Sequence, residues 1–285
     1  MYEAFWGLKQ KPFENTPDPK FIYYSAHHQE ALSRMLYVAQ ERKAAALLTG
    51  EYGSGKTLLS RVFLEEIQKE NRYQSAFIFN PRLSSLELIK EIVFQLEAED
   101  SNDSSLNKID LLHKLHRVLS SNYDAGKYNI VIIDEAQAIL QQDVFEELRL
   151  LLNFQLDNVC LLTIFLIGQS GLIEKINNFP QLKQRLAIKF HLQALNEEET
   201  MLYIQHRLNV AGTKKAIFEE EAYKEIYLNS FGIPRQINNI CDLALLVGFG
   251  SALDRIDKQT IIKVSEDLEG FAPSQKQGLE NGREI

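Results

Sequence analysis

Four short runs constrain this chain more than anything else in it. AAALLT, AFIFN, NIVIID and VCLLTIFLIG are apolar almost throughout, each has strand length, and helix-length amphipathic segments lie between them. A strand with one wet face alternates apolar and polar residues. Strands that are apolar on both faces belong to a sheet covered twice, as parallel α/β sheets are. The intervening periodicity predicts helices over about 57–69, 84–97, 108–121 and 143–154, and an earlier one over about 26–41, where Ala31, Met35 and Val38 share a face. After His191 the strand signal stops. Asn196 and Glu199 form a capping box, Gly212 marks a stop, and helices are expected near 219–230, from Pro234, and over 257–268. In the helix after Pro234, residues Ile237, Ile240, Cys241, Ala244, Leu245 and Gly248 make an apolar stripe. The expected organisation is an aromatic and proline-rich segment plus helix packed on the core (1–43), an α/β domain (44–193), a small all-helical domain (194–270) and a polar, disordered tail (271–285).

Composition removes several function classes. A formal charge of -8 supplies no global basic field, so nucleic-acid binding needs a local basic patch. Cys160 and Cys241 are too few for a disulfide framework and read as core thiols in a reducing compartment. The start MYEAFWGLKQKPF lacks the basic and apolar regions of a signal peptide, and VCLLTIFLIG is too short to span a bilayer as a helix. A cytoplasmic location is expected.

Directly after the first apolar run the chain reads GEYGSGKT. Gly50, Glu51, Tyr52, Gly53, Ser54, Gly55, Lys56 and Thr57 match the phosphate-binding pattern GxxxxGK[ST], with Leu58 continuing into the following helix. The glycines let successive N–H groups turn inward, Lys56 brings charge to the outer phosphates, and Thr57 offers a hydroxyl to Mg²⁺. The run NIVIID ends in Asp134 and Glu135, two carboxylates at the edge where α/β sheets bind ligands. Asp134 suits a Mg²⁺ ligand and Glu135 a base for attacking water, although an acidic pair there also serves as a helix cap. Gln169 ends FLIGQ at the same edge, either against a terminal phosphate or as a plain strand cap.

Two arginines complete the list. Arg185, in LKQRLAIKFHL, follows a short predicted helix and suits either a phosphate in a neighbouring subunit's site or solvent. Arg235, in FGIPRQINNICD, sits in a helix's first turn, which repels cations, so it calls for an anion: a nucleotide phosphate or a salt-bridge partner. His113 and His116 are spaced three apart on a predicted helix, read as ordinary surface residues. His27 and His28 are read as packing residues near an adenine pocket that Tyr23 and Tyr24 help to line.

These residues carry a resemblance. The chain looks like an AAA+ ATPase, and more narrowly it resembles the secretion-associated ATPases of the general secretion pathway protein A type. The marks are MYEAFWGLKQKPFENTPDPKFIYYSAHHQEAL, GEYGSGKT, IVIIDEAQ, LIGQ, LKQRLAIKFHL and FGIPRQINNICDLAL, covering about residues 1–270. The resemblance implies a three-layer αβα P-loop domain with a parallel sheet, followed by a small helical lid. It implies ATP and Mg²⁺ as ligands, with Lys56 and Thr57 as Walker A, Asp134 and Glu135 as Walker B, Gln169 as sensor 1, Arg185 as arginine finger and Arg235 as sensor 2. Sensor 1 in AAA+ proteins is commonly Asn, so Gln169 departs from the wider pattern. The implied activity is ATP hydrolysis by a homo-oligomer that energises or regulates a secretion, pilus or cell-envelope assembly. A DNA-dependent regulator of the transposition target-selection type and a slow partner-docking switch are the alternatives. Larger members carry a membrane segment and a periplasmic domain; this chain is expected to be a stand-alone ATPase or an excised domain.

Overall fold

The computed structural model describes residues 1–97, 106–156 and 159–269; the expected polar tail, 271–285, lies outside the described residues. Contacts divide the described residues into two compact units, one within residues 17–193 and one of residues 1–16 with those from 194 to 269.

The larger unit holds α2 (Ala26–Gln40), β1 (Ala45–Gly50), α3 (Lys56–Gln68), β2 (Tyr73–Ile78), α4 (Ser85–Leu96), α5 (Lys108–Asp124), β3 (Tyr128–Ile133), α6 (Gln142–Leu151), the two-residue strands β4 (Gln155–Leu156) and β5 (Val159–Cys160), β6 (Leu162–Gly168), α7 (Gly171–Asn177), α8 (Pro180–Arg185) and β7 (Leu186–Leu192). Five strands pair in parallel in the order β2-β3-β6-β1-β7. Period-two alternation sorts the same strands onto two faces. Ala45, Leu47, Ile78, Val131, Ile133, Ile164 and Leu166 pack with Leu88, Ile92, Leu115, Leu119 and Leu148 of α4, α5 and α6. Ala46, Leu48, Phe77, Ile130, Ile132, Phe165 and Ile167 pack with Ala31, Met35 and Val38 of α2 and Leu59, Val62 and Phe63 of α3. The double burial read from the four runs is this arrangement, with β7 as a fifth strand at the edge.

Two expectations are corrected. VCLLTIFLIG is not one strand: Val159 and Cys160 pair antiparallel with β4, and the sheet strand begins at Leu162. Cys160 is therefore only half-buried, whereas Cys241 is buried as expected.

The smaller unit contains α1 (Glu3–Trp6), α9 (Glu197–Val210), α10 (Glu220–Ser230), α11 (Pro234–Gly250) and α12 (Lys258–Glu269), and α9 opens on the expected Asn196–Glu199 capping box. Of the segment 1–43 expected on the α/β core, Ile22 and α2 do pack against the sheet, whereas residues 1–16 complete this helical core. Trp6 is buried and its Nε1 donates to Leu245 O at 2.9 Å, the Lys9 amide donates to Ala211 O at 2.8 Å, and Phe13 meets Phe218 edge-on. Buried Arg207 donates to Pro12 O at 2.5 Å and to Glu14 O at 3.0 Å, so the guanidinium holds carbonyls of a proline-interrupted segment that cannot pair as regular structure. Among the described residues no helix is long and apolar enough to cross a membrane.

Candidate functional site

The sheet order reverses direction around β1, because the chain leaves β1 for β2 on one side and reaches β7 on the other. Ligands of α/β sheets sit at such a switch point, beyond the strands' C-terminal ends. Strand register brings the candidate residues there: Thr49 is opposite Gly168, Gly50 opposite Leu192, and Ile133, just before Asp134, opposite Leu166.

The loop from Gly50 to α3 is built on missing Cβ atoms. A Cβ at Gly50 would lie 2.8 Å from Leu192 O and 2.9 Å from Ser54 Oγ, and Gly53 and Gly55 take φ of 82° and 97°. Gly55 occupies the cap position of α3 without a side chain to satisfy the first-turn amides, where Ser84, Asn107 and Asn196 cap their own helices. Lys56 is 5% exposed; its Nζ donates to Gly50 O at 2.9 Å and Glu51 O at 2.7 Å, with Ser54 Oγ at 3.5 Å. Burial pushes the ammonium's pKa down, offset by the charges of Glu135, Asp134 and Glu51. Ser54 is buried, Leu58 is half-buried, and Glu51 and Tyr52 are exposed, Glu51 Oε1 accepting from Ser170 Oγ at 2.9 Å.

Asp134 is 3% exposed, and burial pushes its carboxyl pKa up despite the hydrogen bonds that favour the charged form. Thr57 Oγ1 donates to Asp134 Oδ2 at 2.7 Å, and the Glu135 amide donates to Asp134 Oδ1 at 2.9 Å. A half-buried hydroxyl beside a buried carboxylate offers hard oxygen donors of the kind Mg²⁺ takes. Glu135 follows in a left-handed conformation, φ 51°, rare for a residue with a side chain. Gln169 Nε2 approaches Glu135 Oε2 at 3.5 Å, so sensor and base candidates meet.

The two arginines are placed differently. Arg185 ends α8, exposed, with Nη2 donating to Asn153 Oδ1 at 3.1 Å. It precedes Leu186, opposite Ala45, whereas the phosphate loop leaves from Gly50 at the other end of the sheet. About 17 Å of strand separates Ala45 from Gly50 at roughly 3.3 Å per residue. Arg185 therefore stands away from its own chain's loop. Arg235 belongs to the helical unit, second in α11 and exposed. Its approach is set by Gly232, φ 69°, where a Cβ would lie 1.8 Å from Leu195 O.

Sequence reading missed two participants, Gln137 and Lys175, and read a third, His28, only as a packing residue near an adenine pocket. Gln137 bonds Glu135, Lys175 donates to Gln137 O and Ile139 O at 2.6 and 2.7 Å, and His28 bears on the loop itself. His28 is buried; Nε2 donates to Ser54 O at 3.3 Å, which leaves Nδ1 to accept from Ser25 Oγ at 2.7 Å. The signals available were the Gln two residues after the acidic pair and the Ser-x-x-His at a helix start.

Residues 39–176 match the family model of the AAA domain. General secretion pathway protein A of Aeromonas hydrophila is 37% identical over 273 residues, which cover 95% of this chain and 49% of that protein, so this chain spans about half its length. Among solved structures the fold is similar to the Aeropyrum pernix ORC2 protein, with TM-score 0.66 at 17% identity over 93% of this chain and 73% of that one. It is also similar to the Thermotoga maritima RuvB Holliday junction branch migration motor, with TM-score 0.58 at 21% identity over 91% and 74%. Residues 39–176 thus form an AAA P-loop domain, and the chain is similar, over nearly all of its length, to general secretion pathway protein A.

Proposed function

We propose that this chain binds Mg-ATP at the loop from Gly50 to Leu58 and hydrolyses it. The observation that carries the reading is the convergence of Lys56, Thr57, Asp134 and Glu135 at one sheet edge beside a glycine-built loop. Lys56 already donates to two carbonyls in that loop, so phosphate oxygens would take over an established donor position. Thr57 and Asp134 would hold Mg²⁺, whose charge neutralises phosphate oxygens as negative charge moves toward the leaving group. Glu135 would take the proton of the attacking water, Gln169 would orient that water or the terminal phosphate, and Arg235 would contact phosphate from the helical unit.

Arg185 would act in a neighbouring copy. Its place at the opposite sheet end supports this, because an exposed guanidinium remote from its own loop reaches phosphate only across a subunit boundary. ATP would then assemble a ring or arc that completes its own sites. Similarity to general secretion pathway protein A favours work on a secretion, pilus or cell-envelope assembly from the cytoplasmic side, with membrane contact through partners.

Specific ATP turnover against protein concentration, with and without duplex DNA at one low salt, tests the whole reading. Turnover should rise with concentration and ignore DNA. A 1:1 mixture of Arg185→Ala and Glu135→Gln chains should regain activity that neither has alone. A flat profile, or Arg185→Ala chains as active as wild type, would remove the shared site; turnover that appears only with DNA would favour a DNA-dependent regulator.

A further inference from the structure

Gln137 lies two residues past Glu135, in the 3₁₀ turn Ala136–Ala138, and its side-chain amide is gripped at both ends. Nε2 donates to Glu135 Oε2, and Oε1 accepts from the Gln169 backbone N–H at 3.0 Å. Only one orientation of an amide presents a donor to the carboxylate and an acceptor to the N–H, so the flip is determined. The space is tailored as well. A Cβ at Gly168 would lie 2.4 Å from Gln137 Oε1 and 2.9 Å from Leu172 Cδ2, so the residue before Gln169 has to be bare. Lys175 secures the turn from below through the carbonyls of Gln137 and Ile139.

Both neighbouring amides, from Gln137 and Gln169, converge on Glu135 Oε2. Among the described residues no hydrogen bond is made to Oε1. We propose that Gln137 is a positioning residue for hydrolysis: it fixes the Glu135 carboxylate, already set in a left-handed backbone, so that Oε1 meets the attacking water. The proposal rests on the ATP-hydrolysis reading above. In that step the water oxygen bonds to the γ-phosphorus and the bond from γ-phosphorus to the bridging oxygen of ADP breaks. The water proton passes to Oε1 and then to solvent.

The test uses the full chain in four forms: wild type, Gln137→Met, Gln137→Glu and Gly168→Ala. Methionine matches the length of glutamine but neither donates nor accepts as an amide does. Glutamate keeps an acceptor for the Gln169 N–H and turns an oxygen toward Glu135. The readouts are the dissociation constant of a fluorescent ATP analogue, the single-turnover rate of saturating ATP, and Tm. Gln137→Met should lose about 10- to 100-fold in rate, the scale of a misplaced reacting group, with nucleotide affinity within twofold and Tm within about 3 °C. Gln137→Glu should fall at least as far. Gly168→Ala should reproduce the defect from the other side, since its methyl needs the place of the Gln137 oxygen. A Gln137→Met rate within twofold of wild type overturns the proposal, and so does a parallel loss of affinity and Tm. If wild type binds nucleotide without turning it over, the hydrolysis reading falls first and this proposal with it, an outcome visible without any variant.

Discussion

Arg207 and Lys56 are both buried cations that spend hydrogen bonds on backbone carbonyls, one in each unit, yet their surroundings differ. Around Arg207 the partners are Pro12 O, Glu14 O and the hydroxyl of Tyr203, which in turn donates to Asn238. These contacts join residues 12–14 to α9 and α11, so the network fastens the first residues to a helix pair. Around Lys56 stand Gly53 and Gly55 at positive φ, the left-handed Glu135, and an aspartate whose charge burial disfavours. A fold does not gather a left-handed non-glycine residue and desolvated charge of both signs at one sheet edge for stability; such clusters mark places where a ligand repays them. Burial of a charge is therefore weak evidence of function, and burial joined to backbone strain is stronger.

The sharpest way to break this comparison is Glu135→Gln. It should cost about a thousandfold in ATP turnover while nucleotide affinity is retained, measured by steady-state hydrolysis beside equilibrium binding. Equal activity would demote the acidic pair to a helix cap. Next in size is Gly232→Ala in the helical unit, where the new methyl meets Leu195 O and φ is positive; about 3 kcal/mol of stability should be lost in denaturant titration. Arg207→Met follows, at about 2 kcal/mol, because three oxygens lose their donor. Nucleotide affinity should not change if that network is only structural.

The smallest effect has a sign that depends on pH. Burial raises the Asp134 pKa from its ordinary 3.8, so folding favours the protonated acid. That contribution is complete below about pH 3.8 and is lost as pH rises through the folded value. Asp134→Asn should therefore raise the Tm of the nucleotide-free protein at neutral pH by roughly 2 °C, with the advantage vanishing toward pH 3.8. Saturating Mg-ATP should reverse the order, since only the wild type keeps the metal ligand. Burial likewise disfavours charged Lys56, so desolvation works against the charged form of both groups.

Much of this was legible from spacing alone. The helices expected over 57–69 and 84–97 begin and end within a residue of α3 and α4, and the Asn196 capping box forms as read. Residues 159–168 misled because strand burial was judged from apolarity, and a two-residue hairpin strand is as apolar as the sheet strand after it. The aromatic start misled because hydrophobicity demands burial without saying against what.

What the sequence by itself determined is whatever depends on neighbours a few residues apart: the parallel sheet, the glycine loop with its lysine, the caps, and the acidic pair at a strand end. Each follows from local periodicity or backbone freedom. What only the tertiary structure decided is who meets whom across strands. Gln137 reaches Gln169 because β3 and β6 are neighbours in register, and Trp6 reaches Leu245 across 239 residues. Arg185 lands at the far end of the sheet because β7 runs parallel to β1. Such contacts arise from the packing of covered faces, which many pairings of the same apolar runs would satisfy equally well until chain connectivity and register select one.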